Sequence, residues 1–515
     1  MKKVLLFLAV LAFLFSACKK NSEDEMLQAN QQQASQLSAQ PILTTQQINA
    51  FIYQTLQNTD EFNWKDASDL MLYSAIMHSD DHMVSIGFKP VDEKNVDERL
   101  SKINIRDSKW AAAKVLVMKL ILQEEKAIHP QMKLADVEIW KENKLPVIDA
   151  KIESFKTIKL LRQSKFIRYV EPMGYEPEKY DNTEKETASA LGGSGCGGYV
   201  GDNTLQAGID YTTILPGTKQ SWNYMYHGIP AAWTKSTGAG IKIMVIDTGI
   251  SPDQENMGSD FNQGYSSGRT IQKIFTLPNA SSANDNCGHG TTMSSTVAAP
   301  RGIDGNSCGV AYNSDLIVCK ATHDVIIDES SEVKGVADAY TYAADDASVK
   351  ITSMSVGRVT SSSQIKDAIV YAYGKGKLMF CAGGTSTTFT KFVGVVFPAT
   401  LPQVEAITGI KEQSTLAACY DCHKGGAIDF VIVMQQASDG GNPIANAVSG
   451  DVPTTVGGSS VATATSAGIA ALVWSKHPAE TRDQIVQRLV TTASSYPTKT
   501  KNFGYGKLNA DLATN

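Results

Sequence analysis

From residue 82 onward the chain switches between two hydrophobic periods. Met83-Val-Ser-Ile-Gly-Phe88 and Val147-Ile-Asp-Ala-Lys-Ile152 alternate with a period of two, which predicts strands, and Phe166-Ile-Arg-Tyr-Val170 predicts a third. Between them, Trp110 to Glu125 sets Ala113, Val117, Leu120 and Ile121 at helical spacing, and Phe155 to Gln163 also reads as a helix. A small α+β unit is therefore expected at about 82–175. Upstream, Ile48, Phe51, Ile52 and Leu56, then Leu70, Met71 and Ile76, predict one or two helices within 46–80.

The second half has longer apolar runs. Ile241–Ile246, Leu316–Cys319, Ile351–Val356, Leu378–Cys381 and Val404–Ile407 read as strands buried on both faces, as in a parallel sheet. Helical patterns at 291–299, 332–344 and 363–373 lie between them, and two more follow at 461–475 and 480–492. This alternation predicts an α/β sandwich with a mainly parallel sheet, whose chemistry sits at the carboxyl ends of the strands.

Two stretches lack apolar periodicity: residues 18–45, rich in Gln, Ser and Asn, read as a flexible tether, and 176–200 as a linker. The start of the chain differs from both. Lys2 and Lys3 precede an apolar run, Val4 to Phe15, too short to span a bilayer, and Ser16-Ala17-Cys18 follows. This resembles a bacterial lipoprotein signal: residues 1–17 would be removed and Cys18 lipidated. The expected location is the cell envelope, at the outer membrane or cell surface, with membrane attachment through Cys18 in the precursor.

Composition changes little. A formal net charge of −6, with no basic cluster, argues against a nucleic-acid partner. Export makes disulfides plausible among Cys196, Cys287, Cys308, Cys319, Cys381, Cys419 and Cys422. Seven is odd, so at least one thiol is expected to stay free, and Cys381, in an apolar run, is the candidate. Cys419-Tyr-Asp-Cys422 has metal or redox spacing, but no second pair completes a zinc site, so a local disulfide or two bridges elsewhere is favoured.

Three short motifs carry candidate chemistry. Asp247 follows the strand Ile241–Ile246, His289 stands between glycines where a helix opens, and Ser460 starts the apolar helix at 461–475. A serine there would meet the positive end of the helix dipole. Each motif is weak alone; their joint occurrence at strand ends and helix starts is not.

Val245-Ile-Asp-Thr-Gly249, Gly288-His-Gly-Thr291 and Gly458-Ser-Ser-Val-Ala462 together resemble the three signatures of the subtilisin-like serine proteases. Gly309-Val-Ala-Tyr312 and Phe503-Gly-Tyr-Gly-Lys-Leu-Asn509 are similar to further family segments. The resemblance implies a subtilisin-like three-layer sandwich at 201–515, with Asp247, His289 and Ser460 as the triad acting on polypeptide substrates. It implies that 46–175 (compact part about 82–175) is a ferredoxin-like propeptide acting as intramolecular inhibitor, and that 176–200 is a processing linker. If cleavage falls in 173–200, the lipid anchor stays with the propeptide and the mature part is released or held non-covalently. Substrate would bind along Ser355, Val356 and Gly357 of Met354-Ser-Val-Gly357 and along Ala382 and Gly383. No cofactor is required, and Asp253 and Asp260 do not support a calcium site.

The match breaks at one point. The family's oxyanion asparagine falls at Gly384, so the oxyanion region here consists of the Ser460 amide, Gly384 and Thr385, with Thr385 or Ser386 as candidate replacement donors. Losing that donor costs about 10²–10³ in kcat, which leaves a weak or inactive binding protein on the same scaffold as the alternative.

Overall fold

The computed structural model describes residues 41–59, 61–142, 144–180, 195–385 and 394–515. The expected signal, Cys18, most of the tether, most of the linker and Ser386 lie outside the described residues.

Two helices, the amphipathic α1 (Thr45–Thr59) and the largely apolar α2 (Asp69–His78), open the described chain, as the 46–80 pattern predicts. Ser68 caps α2, its side chain accepting from Met71 N. The first sheet is antiparallel. Its strands β1 (Met83–Phe88), β2 (Val147–Lys151) and β3 (Ile167–Pro172) lie in the order β2-β1-β3. Helices α3 (Ser108–Glu125) and α4 (Phe155–Gln163) fill the two crossovers and pack on each other. A fourth strand beside β2 is reduced to one antiparallel bridge, Trp140 to Asp149.

A short hairpin, β4 (Tyr211–Thr213) with β5 (Lys219–Ser221), leads into the large sheet. That sheet has seven parallel strands: β6 (Lys242–Asp247), β7 (Ile271–Phe275), β8 (Asp315–Lys320), β9 (Val349–Met354), β10 (Leu378–Ala382), β11 (Glu405–Lys411) and β12 (Phe430–Gln435). Their spatial order is β12-β11-β10-β9-β6-β8-β7. The five strands read from the sequence form its interior, and β7 and β12 are its two edges.

Both faces of the sheet are covered, which is why its strands are apolar on both sides. On one face lie α5 (His289–Ala298) and α8 (Gly458–Lys476), against Ile243, Val245, Leu316, Ile351, Phe380 and Phe430. Helix α8 is buried along nearly its whole length, so its sequence is apolar or small all round rather than amphipathic. On the other face lie α6 (Ser330–Asp345) and α7 (Ser363–Gly374), where the Tyr340 hydroxyl meets Cys381 Sγ at 3.3 Å. Helix α9 (Arg482–Thr492) packs outside α8 and carries a complete capping box, Thr481 with Gln484.

The antiparallel sheet docks on α6 and α7 through charged and polar contacts. Arg168 forms a two-pronged pair with Asp367 (2.6 and 2.7 Å), and the Glu171 carboxylate caps the start of α7 by accepting from Ser363 N at 2.7 Å. Deeper still, Glu176 accepts from Arg358 Nε (2.9 Å), Val359 N and Thr360 N, with both side chains of the ion pair 1% exposed.

Among the described residues three cysteines stay free, in keeping with the expectation of at least one. Cys196 bonds to Cys287 and Cys419 to Cys422, while Cys308, Cys319 and Cys381 are buried thiols. Burial pushes each of these three thiols up to about 12, which keeps them unreactive. Cys381 is one of them, as read from its apolar run. No helix among the described residues is long and apolar enough to cross a membrane.

Candidate active site

Strands β6 and β9 are neighbours, and their register pairs Ile246 with Met354. The next residues, Asp247 and Ser355, therefore emerge side by side at the carboxyl edge of the sheet. Ser460, in the first turn of α8, is joined to Ser355 by two contacts: Ser355 Oγ donates to Ser460 O at 3.0 Å, and Ser460 Oγ lies 3.5 Å from Ser355 O. Helix α5 runs beside α8 and brings His289, its first residue, to the same edge.

Asp247 is fully buried. Its Oδ1 accepts from the Thr248 amide at 2.8 Å and from His289 Nδ1 at 2.8 Å, while Oδ2 has no hydrogen-bond partner. A carboxylate facing Nδ1 selects the tautomer with the proton there and leaves the lone pair on Nε2. Burial alone would lower the imidazole's pKa, but the attraction of Asp247 and its hydrogen bond outweigh burial, and the pKa is raised above 6.5. Nε2 is thus the atom free to accept a proton. Ser460 Oγ is oriented toward the Ser355 carbonyl rather than hydrogen-bonded to His289. Such contacts are commonly loose without substrate.

A second carboxylate holds this arrangement, and sequence reading missed it. Asp285 accepts five hydrogen bonds: Oδ1 from Thr248 Oγ1 and the amides of Cys287 and Gly288, and Oδ2 from the amide and hydroxyl of Thr291. Thr248 Oγ1 in turn accepts from Gly290 N at 2.8 Å. The residue after Asp247 and the residues flanking His289 are therefore tied to one acid. The available signal was an Asp four residues before the histidine, at a helix start that needs acceptors.

The oxyanion region is organised around Ser459. Gly384 N donates to Ser459 Oγ, Thr385 Oγ1 contacts the same oxygen, and Ser459 N donates to Thr385 Oγ1, all at 3.1 Å. Thr385 is thus engaged with Ser459, although it was expected as a replacement donor. The Ser460 amide belongs to the first turn of α8, where N–H groups have no partner within the helix. Gly384 has φ +117°, and a Cβ added there would lie 2.5 Å from His423 Nδ1. The buried His423 ring fills the space that an asparagine side chain would need. Burial lowers the pKa of that ring, a backbone contact with Gly394 opposing it.

Of the expected substrate-binding residues, Ser355 and Val356 directly follow β9, Ala382 ends β10 and Gly383 follows it, the two strands being joined side by side. Gly357 is already paired: its amide donates to Val325 O (3.0 Å) and its carbonyl accepts from Ile327 N (2.9 Å). Among the described residues no group of three or more His, Cys, Asp or Glu is placed to hold a metal.

The Subtilase family model (Peptidase_S8) matches residues 238–506. Alkaline elastase YaB of Bacillus sp. (strain YaB) is 31% identical over 281 residues, covering 54% of this chain and 65% of the elastase. Subtilisin Savinase of Lederbergia lenta is 29% identical over 296 residues, covering 57% of this chain and 98% of that protein. Among solved structures, Sphericase aligns with 25% identity and a TM-score of 0.44, over 55% of this chain and 97% of its own.

Proposed function

The chain belongs to the subtilase family, and from that premise we propose that it is an exported serine endopeptidase made as a self-processing precursor. The observation that carries this is the buried Asp247–His289 hydrogen bond, 2.8 Å long, set at the strand edge where Ser460 begins its helix. In this reading Ser460 Oγ attacks the peptide carbonyl carbon while His289 Nε2 takes its proton. Asp247 stabilises the imidazolium so formed. The Ser460 amide and the positive end of α8 bear the charge developing on the carbonyl oxygen. The tetrahedral adduct expels the amine, which receives the proton from His289. Water, deprotonated by the same histidine, then hydrolyses the acyl-Ser460 ester. The chemistry needs no cofactor.

Self-processing draws support from the placement of Lys179 and Gly195. Lys179 Nζ reaches Asp328 O at 3.5 Å, and a Cβ added at Gly195 would lie 2.7 Å from the Val325 side chain. Lys179 and Gly195 therefore both abut the 325–328 segment that pairs with Gly357, beside the candidate site. Cleavage between them would leave the antiparallel sheet bound to α6 and α7 as an inhibitory propeptide. With Cys18 carrying lipid, the membrane anchor would stay on that propeptide.

The test is labelling with an organophosphonate activity probe, together with mass spectrometry of membrane and soluble fractions. The expected result is probe on Ser460 of a fragment starting within 181–195, and an intact, unlabelled chain in Ser460→Ala. A processed wild-type protein that takes no label would refute the enzyme. A mature fragment still carrying acylated Cys18 would refute the placement of the anchor.

A further inference from the structure

The last residues of the expected linker do not run free; they are fastened against the histidine. Cys196 is bonded to Cys287, two residues before His289, and Gly197 N donates to Cys287 O at 2.9 Å. The Tyr199 hydroxyl closes the segment on itself by donating to Gly195 O at 2.6 Å, and Tyr199 O accepts from Val448 N at 2.9 Å. These bonds set the Tyr199 ring edge-on to His289, with centroids 6.4 Å apart and planes at 68°. Gly288 (φ +91°) lies beneath the ring, and a Cβ there would come 2.7 Å from Tyr199 Cδ2. The Tyr199 ring is partly buried beside the pair, and that burial, then the nearby carboxylates Asp247 and Asp285, raise the phenol's pKa.

We propose that Tyr199, held in place by the Cys196–Cys287 disulfide, is a positioning residue for His289. The ring closes one side of the Asp247–His289 pair to water. In a drier pocket the carboxylate acts on the imidazole with less screening, and the ring plane is held for proton transfer. The hydroxyl serves the segment's own closure, so the aromatic ring, not the O–H, carries the effect. The disulfide matters because the ring's backbone has no strand or helix to anchor it. Cleavage before residue 195 would therefore leave the new amino-terminal segment fixed beside the histidine.

This rests on reading Asp247 and His289 as the general-base pair, so the test is a measurement that needs no turnover. In the full-length Ser460→Ala chain, the His289 Nδ1 proton is followed by NMR as a function of pH. With Tyr199→Leu added, the His289 titration is expected to fall by about one pH unit and the proton to exchange faster with water, the scale of losing a neighbouring charge's favourable environment. Tyr199→Phe should restore the parent titration. The pair Cys196→Ser and Cys287→Ser, which keeps the ring but frees the segment, should shift it in the same direction as Tyr199→Leu. An unchanged titration and exchange rate in both Tyr199→Leu and the double serine variant would overturn the proposal. Loss of probe labelling by wild type with these NMR shifts intact would instead fault the protease reading alone.

Discussion

Glu176 and Arg358 form an ion pair 2.9 Å apart with both side chains almost wholly out of water, and they join the antiparallel sheet's exit to the loop after β9. Arg358 also donates to the carbonyls of Met173 and Tyr175, so the charge is satisfied only when residues 173–176 are in place. Removing one partner strands the other. Glu176→Ala in the Ser460→Ala chain should destabilise it by about 3–5 kcal/mol, and Glu176→Met with Arg358→Met should recover most of that loss. Urea denaturation decides the matter: a loss below about 1 kcal/mol for Glu176→Ala would show the pair to be dispensable.

The pH dependence of activity follows from the raised His289 pKa. The base must be neutral, so kcat/KM of the processed enzyme should rise with pH through a midpoint above 6.5. In Asp247→Asn, burial acts on the imidazole without the opposing carboxylate, and the midpoint should move downward. The rate should fall by roughly 10⁴-fold, the scale for losing the orienting carboxylate of such a triad. Parallel pH–rate profiles check both, and a midpoint that rises in Asp247→Asn would contradict the assignment.

Restoring the family's asparagine should not restore a faster enzyme. Gly384→Asn puts a side chain at φ +117° into the His423 ring, a backbone conformation that L residues rarely adopt. We expect a lowered melting temperature and a probe-labelling rate no higher than wild type. Labelling about tenfold faster than wild type would show that the pocket accepts the amide after all.

How much of this was legible follows from the range of each interaction. Five strands were read from apolar runs because strands buried on both faces carry that signal within the segment itself. Strand β7 escaped because it is an edge: Gln272 and Lys273 face solvent and break the run. Strand β12, Phe430 to Met434, was apolar enough to be read, but no helical pattern follows it directly to mark a strand–helix unit. Asp247, His289 and Ser460 stood out through their flanking glycines and element ends. The disulfide Cys196–Cys287 spans 91 residues, and the Glu176–Arg358 bond spans 182, so no local pattern announces either. His423 is the sharpest case, since only the fold brings it against Gly384.

Buried His227 makes acid sensitivity predictable. Its Nδ1–H donates to Leu508 O at 2.8 Å and Nε2 accepts from Val433 N at 2.9 Å, so a second proton would face an N–H. Burial pushes its pKa down to about 4. The unfolded chain, titrating near 6.5, binds the proton first as pH falls. Stability is therefore full above about 6.5 and should decline by about 3 kcal/mol on going down to pH 4. His227→Gln can keep one donor and one acceptor without titrating. Its denaturation midpoints should match the parent at pH 7 and fall less between pH 6.5 and 4; equal slopes would remove His227 as the cause.

The charged seam between the antiparallel sheet and α6–α7 also bears on timing. Arg168 with Asp367 and Glu176 with Arg358 cross the seam with opposite polarity, and neither contact depends on any peptide bond between Lys179 and Gly195. Cutting the chain there would leave every one of them intact. Severing and liberating are then separate events, and the dwell time of the severed piece on its seat sets the delay between them. A chain processed in this way would carry its own clock, wound by folding and run down only when that piece departs or is destroyed.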